Sequence, residues 1–435
     1  MSEAPARPPA AERAIGIEFY ATTTPGVPGR TKATPDDFRV TEISSYPRPD
    51  PVGRFTVLRV VSQGWEQHEL GAAIARRLGL APRAVSWAGT KDRRAVAERL
   101  LSYRGDPPAR SLELPGVEVV DAYRARDGLV LGHHYGNAFE IRATELARPP
   151  DEAMRAFRAT EAALRAAGGF PNFFGPQRFG EVRPVTHEVG RAIVRGDLAG
   201  AVDVYLTARP PGVPDGPGDS ARAEYSVHRD AARALREFPR EYRFERALLE
   251  RLARGDGPER ALRALPLDLE RLFVHAFQAY LFNRWLDRRH SLGLSPVAPE
   301  SGDRIVRLER DGTVRGRDAV AVGDDNLVEC RELVRGGGAL VAGPLVGTDT
   351  PNDGGPAAEL LTSILDEEGV GRTYFALPTT PEIASRGTWR PAVVPLPPLG
   401  LRPEAEGVVF RFALPKGAYA TVLLREFLKN GAEVG

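Results

Sequence analysis

The chain has 435 residues, 42% of them hydrophobic and 27% charged, with a formal net charge of +1. These are the values of a globular chain of two to three domains, and the near-neutral balance excludes a global field that would recruit a polyanion, so any nucleic-acid surface must come from local asymmetry. A single cysteine, Cys330, excludes an internal disulfide framework, and no apolar run approaches the roughly 18 residues of a membrane helix.

In chain order, the Pro/Ala-rich first dozen residues, within residues 1–13, read as disordered. No signal-type apolar core follows, so the expectation is a soluble, cytoplasmic protein; a monomer is expected, although the sequence does not fix the oligomeric state. D-F-R-V-T-E-I from Asp37 and R-F-T-V-L-R-V-V from Arg54 read as strands. Glu69 to Leu78 carries Leu70, Ile74 and Leu78 at helical spacing, and a second helix is expected from Asp92 to about Leu101. Gly128 to Ala143 reads as strand, turn and strand, with the turn at Gly136-Asn137. Met154 to Ala167 is helical, and the breaker cluster Pro210 to Gly218 marks a mobile loop. Ala221 to Arg289 is helix-rich; Gly336 to Pro356 is Gly-rich. E-G-V-V-F-R-F-A-L-P is expected to hold two short strands before the terminal helix Y-A-T-V-L-L-R-E-F-L. Mixed α and β at the start, helices in the middle and strands at the end suggest a discontinuous domain with an insertion.

Phosphate-loop and His-Glu-x-x-His patterns are absent, and the seven histidines lack zinc-type spacing, so no metal is implied. The stretch S-W-A-G-T-K-D-R-R-A-V (Ser86 to Val96) is different. It holds Lys91, one of only four lysines against 55 arginines, directly beside Asp92. By position Asp92 reads first as a helix N-cap. Against that stand the small-residue approach Ala88-Gly89-Thr90 and the charge around it. Arg83, Lys91, Arg93, Arg94, Arg99 and Arg104 face only Asp92 and Glu98, a plausible phosphate-tracking surface. A carboxylate in such surroundings stays ionised, as a nucleophile must. The aromatic residues Phe38, Phe139, Phe173, Phe174, Phe179 and Tyr419 fit either core packing or base stacking, and Phe173, Phe174 and Phe179 favour the core. Asn137 and Phe139 fall on one side of a strand, where one can bond a base edge while the other stacks on its face.

Five ordered segments resemble the TruD family of tRNA pseudouridine synthases, in its archaeal and eukaryotic branch. They are K-A-T-P-D-D-F-R-V-T-E (Lys32 to Glu42), Ser86 to Val96, G-N-A-F (Gly136 to Phe139), F-P-N-F-F-G-P-Q-R-F-G (Phe170 to Gly180) and L-P-K-G-A-Y-A-T-V-L-L-R-E (Leu414 to Glu426). H-A-F-Q-A-Y-L-F-N (His275 to Asn283) and E-I-A-S-R-G-T-W-R-P (Glu382 to Pro391) look like that branch. The resemblance implies an α+β fold: a discontinuous catalytic module on a mostly antiparallel sheet (residues 1–168 and 392–435), interrupted by a family-specific α/β insertion module (169–391). It implies Asp92 as nucleophile, Lys32 and Lys91 near the active site, and Phe38, Asn137, Phe139 and Tyr419 against the substrate. The substrate would be a uridine of tRNA, typically at position 13, with no cofactor and no membrane. Two departures, Ala97 where Thr is common and Lys416-Gly417-Ala418 in the final motif, leave the nucleophile untouched.

Such an isomerisation moves uracil from an N–C to a C–C glycosidic link with no redox change and no net hydrolysis. A carboxylate, a pocket that retains the freed base and a path for one proton suffice. The competing readings are a non-catalytic RNA-binding protein, or a synthase acting on another RNA or tRNA position. An acid inside a basic groove repels phosphate and gives a mere binder nothing.

Overall fold

Runs rich in β-branched and aromatic residues at both ends of the chain converge on one sheet. The structure, a computed structural model, describes residues 6–108, 112–180, 182–210, 216–309, 313–314, 318–351 and 354–431. Among these residues the sheet has nine strands, in the order Gly400–Glu404, Gly407–Pro415, Gly136–Thr144, Phe38–Ile43, Val96–Arg104, Phe55–Gln63 and Val117–Ala125, with Arg30–Thr31 added to Gly136–Thr144 and Ser86–Trp87 to Val96–Arg104. Only Phe38–Ile43 and Val96–Arg104 run parallel; the other pairs are antiparallel. The helix Pro150–Ala166 opens with proline and two acids and closes with Arg165, the order its dipole favours. Its Phe157 meets Phe410 of the sheet at 5.1 Å and Phe427 of the helix Ala420–Leu428 at 5.9 Å between ring centroids. That triad ties both chain ends into one core.

The middle of the chain forms a helix-rich body around Leu267–Ser291, a 25-residue helix. Its Phe273, Phe277, Leu281, Phe282 and Trp285 are all buried, so it is apolar on most sides. Beside it lies a four-stranded antiparallel sheet in the order Val320–Ala321, Arg304–Arg307, Ala339–Leu345 and Thr388–Pro391. The chain leaves the large sheet at Phe170–Pro171 and returns at Val393–Val394, and these two short strands pair with each other. A side chain at Gly169, whose φ is +139°, would meet the Val394 carbonyl oxygen at 2.1 Å, so only glycine permits this approach.

Four expectations need correction. Val96–Arg104 is a strand, not a helix. Its Ala, Glu, Arg and Leu favour a helix locally, but it lies between two other strands with Ala97, Leu100, Leu101 and Tyr103 buried, and tertiary packing outweighs propensity. Residues 128–135 are not the first arm of a hairpin; Gly136–Thr144 pairs instead with Phe38–Ile43 and Gly407–Pro415. Gly407–Pro415 is one continuous nine-residue strand. Ala10–Arg13 is a short helix, and Glu12 accepts from the Arg425 guanidinium, so this part of the expected disordered segment is anchored; residues 1–5 lie outside the described residues. Residues 211–215 of the expected mobile loop lie outside them too. No helix among the described residues is long and apolar enough to cross a membrane.

Candidate active site

The turn that carries Asp92 joins the strands Ser86–Trp87 and Val96–Arg104. Gly89 sits under it: a β-carbon there would lie 3.0 Å from His134 Cε1 and 3.1 Å from Lys91 Nζ, so only a small residue lets the turn pack down. Asp92 caps no helix. Its Oδ1 accepts the Arg94 backbone N–H at 2.9 Å, closing a local Asx-type turn. Its Oδ2 is held by the Lys32 ammonium. Burial raises the Asp92 pKa, but the Lys32 and Arg94 hydrogen bonds outweigh it and hold the carboxyl below the ordinary aspartate value. The carboxylate is ionised at neutral pH while 27% of its side chain stays open to solvent, against 13% for Lys32.

Lys32 reaches Asp92 from a strained position. Its φ is +63°, a left-handed conformation that a lysine adopts only when its surroundings impose it. Thr31 is paired into the sheet just before it, and just after it the Thr34–Asp37 capping box opens the one-turn helix Pro35–Asp37 that leads into the next strand. The ammonium lies 4.6 Å from the centroid of the Phe38 ring.

From Phe38 the strand alternates, so Phe38, Val40 and Glu42 share one face. Their cross-strand partners are Ile141, Phe139 and Asn137. Phe139 stands half-buried between Phe38, at 6.1 Å and nearly perpendicular, and Phe412, at 5.4 Å. Asn137 Oδ1 is buried with no hydrogen-bond partner. The structure thus brings Lys32, Phe38, Asp92 and Phe139 together, with Asn137 on the same sheet face but further along, opposite Glu42.

Lys91 and Tyr419 sit differently. Lys91 donates to Glu42 Oε2 at 2.8 Å, with side chains only 3% and 1% exposed. Burial lowers the Lys91 pKa and Arg99 adds to this, while Glu42 opposes both. Tyr419 precedes the helix Ala420–Leu428, its ring 6.1 Å from Phe174, with the Arg390 guanidinium 5.9 Å from it. Arg390 is buried over Phe174 at 4.0 Å and bonds Asn172, and burial pushes its pKa down to about 10. Arg178 also reaches over Phe174, and its Nε has no hydrogen-bond partner. The rings of Phe173, Phe174 and Phe179 are buried core, not a stacking platform.

The basic surface expected around Asp92 is smaller than its letters suggest. Lys91 is consumed by Glu42, and Arg99, 1% exposed, donates to Gln67 Oε1 at 2.6 Å. Arg83, Arg93, Arg94 and Arg104 remain exposed. Sequence reasoning passed over Glu42, Arg178 and Arg390, although all three stand inside segments it singled out; Glu42 closes the Lys32 to Glu42 segment and Arg390 stands in Glu382 to Pro391. Beside the Asn137 end of the sheet lies a cleft of about 560 Å³ between the large sheet and the small one, walled by Tyr135, Lys416, Leu340, Trp389 and Arg390. Among the described residues no group of three His, Cys, Asp or Glu side chains is arranged to hold a metal ion.

The chain is similar to known proteins over nearly its whole length. The family model for tRNA pseudouridine synthase D (TruD) matches residues 14–427. A Halobacterium salinarum protein named "Probable tRNA pseudouridine synthase D" is 38% identical over 433 residues, covering 96% of this chain and 97% of its own. A Thermococcus sibiricus protein of the same name is 33% identical over 419 residues, covering 94% and 97%. The crystal structure of a Methanosarcina mazei protein described as a tRNA pseudouridine synthase D superposes with a TM-score of 0.81 at 31% identity, covering 97% of this chain and 99% of that one.

Proposed function

Because the chain belongs to the tRNA pseudouridine synthase D (TruD) family, a family of isomerases, we propose that its substrate is a uridine of tRNA, typically at position 13, and that Asp92 is the nucleophile. The observation that carries this reading is the ionised Asp92 carboxylate, held by Lys32 and the Arg94 N–H, at the edge of a face that presents Phe38, Phe139 and Asn137. An extruded uracil offers a flat ring and an imide edge. Phe139 and Phe38 hold the ring while it turns, and the unpartnered Asn137 oxygen accepts its N3–H. Asp92 either attacks the ribose carbon or adds to the ring; both need the carboxylate ionised. Lys32 keeps it so until the substrate arrives. Lys91 completes the basic side of the pocket, and Tyr419 closes it from the C-terminal segment. The cytoplasm, where tRNA is found, is the expected compartment.

The module boundaries belong to the same proposal. A catalytic module of residues 1–168 and 392–435 and an insertion module of 169–391 are supported by the pairing of Phe170–Pro171 with Val393–Val394 at the two crossings. The large-sheet strands fall in the first, the small sheet and long helix in the second.

Replacement of Asp92 by Asn tests the reading. Tritium release from 5-tritiated uridine in tRNA should vanish while the tRNA dissociation constant stays within about twofold, a change worth under roughly half a kcal/mol. Release at the wild-type rate would remove Asp92 from the chemistry. Mapping pseudouridine in RNA from a strain lacking the protein identifies the position modified.

A further inference from the structure

Glu42 anchors a buried polar network on the face just described, at its Asn137 end. Its strand sets it opposite Asn137, so the two side chains project to the same side of the sheet. Its Oε2 takes the Lys91 ammonium at 2.8 Å, while its Oε1 is buried with no hydrogen-bond partner. The same is true of Asn137 Oδ1 and of His134 Nδ1. Such orphaned acceptors are costly and therefore informative. Every element packed around Lys91 contributes to its field. Arg99 comes from the strand Val96–Arg104 and faces Glu42; His134 comes from the segment before Gly136, within reach of Glu42, Lys91 and Lys416; Asp92 is the next residue in the chain. Glu42 is the acid that supports the Lys91 charge in this group.

We propose that Glu42 is a positioning residue for the reaction: by pairing with Lys91 in a site closed to water, it keeps that lysine charged and aimed along the Asn137 side of the uracil pocket. The inference rests on the proposed reading of the pocket. Its physical content is a charge balance. An ammonium with 3% of its side chain exposed loses its hydration, and Arg99 adds repulsion; without the Glu42 carboxylate both act unopposed and the proton is held more weakly. Lysine is suited to such a place because its pKa responds to its surroundings, whereas arginine stays charged. The sign follows: activity that needs the protonated lysine is present below its pKa and lost as pH rises through it, and removing Glu42 moves that loss to lower pH.

The test is the pH dependence of kcat/KM for pseudouridine formation in tRNA. Glu42→Gln keeps the shape and removes the charge. It should retain activity at its most acidic working pH and lose about tenfold per pH unit above an alkaline limb displaced downward by at least about one unit from that of the wild-type protein. In Glu42→Gln/Lys91→Arg the displaced limb should vanish, because the guanidinium does not shed its proton. A Glu42→Gln protein that folds, and whose rate falls by one factor at every pH, overturns the inference, since a purely structural role lowers the whole profile without moving it. Should Glu42→Gln fail to fold, Lys91→Arg alone decides: its residual activity lacks the alkaline limb of the wild-type protein if Lys91 sets that limb, and keeps it at the same pH if the inference is wrong. Failure of the underlying reading looks different. The wild-type protein then forms no pseudouridine in tRNA at any pH, and the role given to Glu42 falls with it.

Discussion

Two buried ion pairs of this molecule are built to opposite standards. In the helix-rich body, Arg289 meets Asp303 through two parallel bonds of 2.7 Å, both side chains 1% exposed, and Arg289 also donates to the Ser295 carbonyl while Asp303 accepts the Glu300 N–H. Beside the candidate site, Lys91 and Glu42 are just as deeply buried, yet they share one bond and leave a carboxylate oxygen without a partner. The first pair is saturated, as structural pairs must be to repay their desolvation. The second keeps an open acceptor and a cation whose pKa can move. That contrast fits the roles proposed above, one charge holding the fold and the other serving the pocket.

The contrast can be broken from either side. The largest stability effect belongs to the saturated pair: Arg289→Ala should cost about 3–5 kcal/mol in a denaturation experiment, because it leaves Asp303 buried and alone. The activity of the molecules that remain folded should be unchanged, and loss of activity without loss of stability would erase the distinction. Lys91→Arg should do the reverse, lowering kcat/KM by about tenfold or more, or roughly 1.4 kcal/mol, while its melting temperature moves less than that of Arg289→Ala. Equal activity would make the lysine incidental. The smallest effect is expected at Arg178, whose Nε has no hydrogen-bond partner beside the Tyr419 and Phe174 rings. If it meets a backbone phosphate, Arg178→Ala should weaken tRNA binding across sequences and reduce the slope of log affinity against log salt by about one.

Local pattern carried the sequence reading as far as local forces rule. Phe38–Ile43 was legible because one face is buried and the other is not. Val96–Arg104 was not, because strands cover it on both sides and its letters are those of a helix. Asp92 was singled out by composition, but its short-range duty was misjudged: the cap it makes belongs to a turn. What held it in place could not be read locally, since Lys32 lies 60 residues away and Glu42 lies 49 residues from Lys91. Motif order grouped Lys32, Phe38, Asn137 and Phe139, and the sheet register explains why Phe38, Phe139 and Asn137 share one face. The aromatic run at Phe173, Phe174 and Phe179 was open to two readings, and its burial supports the core.

The strand Gly407–Pro415 carries a consequence for how the molecule comes into being. It covers the open side of Gly136–Thr144, setting Phe412 opposite Phe139 and bringing Arg411 to Glu140 across 271 residues of chain. During synthesis the N-terminal strands emerge long before this partner, and one edge of Gly136–Thr144 waits unpaired while the helix-rich body is made. Closing so long a loop is slow, and an exposed strand edge invites the wrong neighbour. The pocket is therefore among the last features to form: a nascent chain stalled short of residue 407 has every candidate residue except Tyr419, but not the wall against which Phe139 stands.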